Sequence, residues 1–131
     1  MCIRDRYSTP ASMGTRCHQL AASIVHDSPF TMLCDAPTNY LNEQECVDFI
    51  TSLPVERDST FIASGEIGKY IVTVRKKDVN WYVSGMTNWD RRDVELDFSF
   101  LPEGVRYMAT LFVDGINADK QAEDYLSLIH I

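Results

Sequence analysis

The sequence predicts an α+β chain in which the closing helix–strand–helix turn of an α/β barrel is followed by an antiparallel β domain. Three features carry that expectation. Residues 14–25 and 42–53 carry apolar side chains at helical spacing. Residues 29–34 (PFTMLC) are apolar on both faces and run into Asp35, as a buried parallel strand does. From Ser59 onward the apolar period changes from 3.6 to two. A strand of that central type needs parallel neighbours and covering helices. Residues 7–54 therefore read as the last elements of a larger catalytic barrel, and 55–125 as an incomplete β domain.

Residues 1–6 (MCIRDR) and 126–131 (LSLIHI) read as translated sequencing-adaptor sequence and are not expected to contribute to the fold. In the first helix Cys17, Leu20, Ala21 and Ile24 form one stripe, with Ser12 or Thr15 as cap. Asp27, Ser28 and Pro29 break that pattern before a strand at 30–34. Pro37-Thr38-Asn39 reads as a turn, and Asn42 with Glu45 as a capping box for the stripe Cys46, Phe49, Ile50, Leu53, which Pro54 ends. Strands are expected at 59–63, 70–75, 80–87, 94–98 and 107–113. In the third, Trp81, Val83 and Gly85 share one face and Tyr82, Ser84 and Met86 the other. Val94, Leu96 and Phe98 alternate with polar residues as a half-buried strand would. Asp114-Gly115 suits the positive φ of a tight turn. Five short strands with polar turns argue for a β-sandwich.

Composition excludes several functions. A formal charge of −7 disfavours phosphate-backbone binding, and no apolar run reaches the ~18 residues of a membrane-spanning helix. Nucleic-acid binding and membrane insertion are thus not expected. Cys2, Cys17, Cys34 and Cys46 lack zinc-ligand spacing and read as small buried hydrophobes.

Four collinear stretches carry a resemblance: GTRCHQLA at 14–21, SPFTMLCDAPTNYL at 28–41, MTNWDRRDVELDFSFL at 86–101 and FVDGINAD at 112–119. They resemble glycoside hydrolase family 97, bacterial enzymes acting on α-glucosides or α-galactosides. The resemblance implies an N-terminal β-sandwich, a central (β/α)8 barrel and a C-terminal β domain associated with oligomerisation. This chain would hold the terminal helix-strand-helix of the barrel and a truncated antiparallel β-sandwich. It would be a C-terminal fragment providing barrel closure and interdomain or subunit contacts, without being a catalyst itself. The resemblance further implies calcium in the parent enzyme, an α-linked oligosaccharide substrate, a periplasmic or secreted location and a homo-oligomer, with Met108 and Phe112 among the contact candidates.

No catalytic, metal or cofactor-binding residue is expected within this chain, because the family's catalytic carboxylates and calcium ligands lie on earlier barrel strands. Asp35 is the substrate-rim candidate, since catalytic residues cluster where barrel strands end. Its alternative is an Asx turn holding the Pro37-Thr38 loop. His18 and His26 are too far apart for an i, i+4 metal pair, and Asp114, Asn117 and Asp119 lack the EF-hand glycine and glutamate. The rival reading is a noncatalytic carbohydrate-binding or interaction module, stacking sugars on Trp81, Tyr82 or Trp89.

Overall fold

The computed structural model describes residues 5–6, 9–10, 14–28 and 36–130. The expected strand at 30–34, its terminal Asp35 and the cap candidate Ser12 lie outside the described residues. Elements run β1 (Asp5–Arg6), β2 (Thr9–Pro10), α1 (Arg16–Val25), α2 (Pro37–Asn42), α3 (Gln44–Ser52), β3 (Ser59–Glu66), β4 (Tyr70–Lys77), β5 (Asn80–Thr87), β6 (Ala109–Asp114) and β7 (Tyr125–His130). Helices with antiparallel sheets make this an α+β chain. The chain divides into two compact units. One holds 20–105; the other holds the described residues up to Gln19 together with those from Arg106 onward.

The first unit is built on the meander β3-β4-β5. β4 lies in the centre, and Val72, Thr73, Val74 and Arg75 are buried in succession, so both of its faces are covered. The pairing Val74↔Val83, Lys76↔Trp81 and Phe61↔Val74 places Phe61, Val74, Val83 and Trp81 on one face. Phe100 covers that face, with ring centroids 5.2 Å from Trp81 and 5.7 Å from Phe61. The opposite face carries Thr73, Arg75, Tyr82 and Ser84 and receives the end of α1. β3 is an edge strand, exposed along nearly its whole length, with a register shift between Ile62 and Ser64. Leu20 and Ile24 of the α1 stripe are buried, as is Cys46 of the α3 stripe, because a helix buries only the face its spacing makes apolar.

Several local expectations are corrected. Pro37-Thr38-Asn39 opens α2 instead of making a free turn, since proline's fixed φ and missing N–H suit the first helical position. Asn42 ends α2, and Glu43 occupies the cap position of α3 without a side-chain cap bond, so no capping box forms. Residues 91–98 form no strand. Alternation assigns faces, but a strand also needs a hydrogen-bonded neighbour, and the ladders of the first unit end at β3 and β5.

In the second unit β6 pairs with β7, Leu111 opposite Leu128 and Val113 opposite Leu126. Residues 126–130, adaptor-like in sequence, thus take part in the fold. Their alternating aliphatic pattern is enough for cross-strand pairing whatever its origin. The β6–β7 connection is not a two-residue turn. Residues 115–124 form a chain of short turns closed by Gly115 N–H to Asp124 O at 2.8 Å, and Gly115 is not among the positive-φ residues. An added Cβ there would meet the Asp124 carboxyl group, which would have to shift; with glycine in place that carboxyl accepts the Asn117 N–H at 2.8 Å.

Candidate functional site

The most organised polar arrangement among the described residues is the joint between α1 and the meander. Backbone carbonyls near the end of α1 can accept further hydrogen bonds. Two strand residues from one face of the sheet meet that end. Ser84 Oγ donates to Ala21 O at 3.0 Å, and Arg75 Nη2 donates to Val25 O at 3.0 Å. A cation at the carboxyl end of a helix is also favoured by the macrodipole. Arg75 is only 2% exposed, and its Nη1 lies 3.0 Å from Asp27 Oδ1. Arg57 reaches the same oxygen at 2.8 Å. Burial first, and then the neighbouring Arg75 charge, hold Arg57 below its usual pKa, while Asp27 opposes the shift. Two guanidinium groups therefore share one carboxylate oxygen at the boundary of the core.

Sequence reasoning missed this cluster. Asp27 reads there only as a helix breaker, and Arg75 only as a member of the Ile71, Thr73, Arg75 face. The one available signal is a cation in the middle of a strand, two residues from Thr73 on the same face. Its partner lies 48 residues away and has no local signature.

The other expected site residues separate. Asp35 lies outside the described residues, so neither of its readings meets the structure. Thr15 fills the cap role in α1, its Oγ1 accepting the His18 N–H at 3.1 Å. Trp81 and Tyr82 point to opposite faces, and Trp81 is committed to Phe100 and to Lys76, whose Nζ lies 5.4 Å from the ring. Trp89 is 87% exposed. Trp81 and Tyr82 therefore do not form one platform. Met108 is exposed, whereas Phe112 is half-buried against Tyr125, with ring centroids 6.1 Å apart.

Calcium takes six to eight oxygen ligands. Among the described residues no group of three or more His, Cys, Asp or Glu side chains converges. An open depression is lined by Ser64, Tyr70, Arg92, Asp93, Val94 and Glu95. Ser64 Oγ and Tyr70 Oη are hydrogen-bonded there at 2.9 Å, and Arg92 binds Asn88 and Asp90, tying the turn after β5. No described helix is long and apolar enough to cross a membrane.

Residues 56–128 match the family described as glycosyl-hydrolase 97 C-terminal, oligomerisation. Over 119 residues the chain is 50% identical to a retaining α-galactosidase of Bacteroides thetaiotaomicron, covering 91% of this chain and 18% of that protein. A glycoside hydrolase family 97 enzyme from Pseudoalteromonas sp. strain K8, solved in complex with acarbose, matches with a TM-score of 0.85 at 28% identity, over 93% of this chain and 20% of that one. A crystal structure of a β-arabinopyranosidase matches with a TM-score of 0.71 at 25% identity, over 94% and 19%. The chain spans about a fifth of the length of these relatives.

Proposed function

We propose, given that this chain belongs to the C-terminal, oligomerisation family of glycosyl hydrolase 97 proteins, that it serves as the C-terminal portion of an α-glycoside hydrolase. Its role there is to close the barrel and present a β domain for interdomain and subunit contacts. The observation that carries this reading is the 50% identity to a retaining α-galactosidase over 91% of the chain. It favours an α-galactoside as the substrate of the whole protein. The joint of Arg75, Asp27 and Ser84 supports the structural half of the reading, since it fastens a helix of barrel pattern to the β meander.

In this reading the two carboxylates that glycoside hydrolysis requires, and the calcium ion, belong to the part of the enzyme outside this chain. Asp35 is proposed to line the rim of the sugar site. The test is hydrolysis of aryl α-galactoside and aryl α-glucoside by the full-length protein, with the product anomer followed by NMR. Faster α-galactoside cleavage with retention is expected; failure to cleave either substrate contradicts the reading. Asp35→Asn in the same protein is expected to lower kcat/KM without lowering Tm. A loss confined to Tm assigns Asp35 to a turn.

A further inference from the structure

Strand register puts Phe61, Ser64, Tyr70, Val72 and Val74 on one face of the meander. The segment after β5 spans that face. Its Phe100 packs against Phe61 and Trp81 at one end. Toward the other end, residues 92–95 meet Ser64 and Tyr70 around an open depression of about 520 Å³. A site of that size admits a small molecule. Charges of both signs line it: Asp93 and Glu95 oppose an anion, and the Arg92 guanidinium opposes a cation. Arg92 is already committed to Asn88 Oδ1 at 2.9 Å and Asp90 Oδ2 at 3.0 Å. The polar groups left over suit hydroxyls. Among the described residues the Asp93 and Glu95 carboxylates, acceptors only, have no hydrogen-bond or ion-pair partner. Ser64 Oγ and Tyr70 Oη bond each other at 2.9 Å, and the hydroxyl that accepts keeps its own hydrogen to donate. Val94 and the Tyr70 ring are the apolar part of the lining.

We propose that this depression binds one neutral pyranose, galactose, through its hydroxyl groups. Asp93 and Glu95 accept hydroxyl hydrogens, the Ser64–Tyr70 pair donates the hydrogen it keeps, and Val94 with the Tyr70 ring carries the C–H face of the sugar. Preference for a neutral polyol follows from the lining alone; the choice of galactose rests on the α-galactosidase reading.

The test is an NMR titration of the full-length protein, isotopically labelled at its valine methyl groups, with D-galactose. The Val94 methyl resonances, assigned by Val94→Ile, are expected to shift and saturate. Asp93→Asn combined with Glu95→Gln is expected to raise the half-saturating galactose concentration about tenfold. An unmoved Val94 resonance, an equal shift with glycerol, or unchanged half-saturation in the double variant overturns the proposal. Should the double variant fail to fold, Glu95→Gln alone, at an exposed position, makes the same comparison; a rise in half-saturation supports the site and none overturns it. Galactoside hydrolysis without a Val94 shift leaves the glycosidase reading standing and removes this site. A saturable Val94 shift in a protein that cleaves no galactoside keeps the site and removes the substrate reading.

Discussion

At the scale of single residues, Arg75 and Asp27 are unequal partners although they share one ion pair. Arg75 is 2% exposed and Asp27 77%. Removing the carboxylate leaves a buried cation with Val25 O as its remaining partner, whereas removing the cation leaves a carboxylate that Arg57 and water still reach. Asp27→Ala is therefore expected to destabilise by about 3 kcal/mol. Arg75→Met, of similar length and apolar, is expected to cost about half as much. The shift in urea midpoint at constant slope measures both; equal losses would contradict the asymmetry. Two glycines make a similar contrast. Gly68 has φ +76 but open space around its Cβ position, so Gly68→Ala carries only the left-handed backbone penalty of about 1 kcal/mol. Gly115→Ala must displace the Asp124 carboxyl and break its bond to Asn117. It is expected to cost more, about 1–3 kcal/mol by thermal unfolding.

At the scale of elements, the β4–β5 hairpin carries a pH-dependent brace. Asp58 Oδ2 accepts the backbone N–H of Asp78 at 2.6 Å, and Lys77 Nζ lies 3.2 Å from Oδ1. Asp78 itself sits at φ +51, so the carboxylate holds a turn in a backbone region most residues avoid. The Asp78 bond first, and Lys77 second, hold the Asp58 carboxyl below its ordinary value of 3.8. A carboxylate depressed in the folded state stabilises above its unfolded pKa, and that contribution disappears as pH falls through the lower folded value. Asp58→Asn is expected to flatten the acid limb of stability below about pH 4. A wild-type acid slope in the variant would show that other carboxylates carry it. Urea midpoints from pH 2 to 7 make the comparison.

At the scale of the whole molecule, few apolar side chains are deeply buried among the described residues: Leu20, Ile24, Cys46, Val72 and Val74. Each of the four aliphatic ones contributes about 1.5–3 kcal/mol, against roughly 1–2 kcal/mol of backbone entropy for every ordered residue. Meanwhile Leu41, Ile62, Ile67, Val105, Met108 and Ile116 remain more than half exposed. The chain by itself is expected to aggregate or unfold without a sharp transition, while the full-length protein melts cooperatively. A reversible monomeric transition of the isolated chain contradicts this. Met108→Glu places a charge on an exposed apolar side chain. It is expected to lower the solution mass of the full-length protein by light scattering; an unchanged mass removes Met108 from any subunit contact.

Elements whose signal is periodic and local are legible in the sequence. The stripe of α1, the stripe of α3 and the strand β5 with its two faces all follow from spacing that a helix or a pleated strand imposes on its own residues. The four collinear stretches also identify the family. Other features belong to the folded molecule alone, because they depend on what a distant segment supplies. Val94, Leu96 and Phe98 alternate like a strand but find no ladder. Asp114-Gly115 reads as a tight turn, yet Asp124 comes close enough to make a longer connection. Arg75 and Asp27, inconspicuous in sequence, become a joint once the fold brings a strand against the end of a helix, since a buried charge is held only by partners that folding delivers.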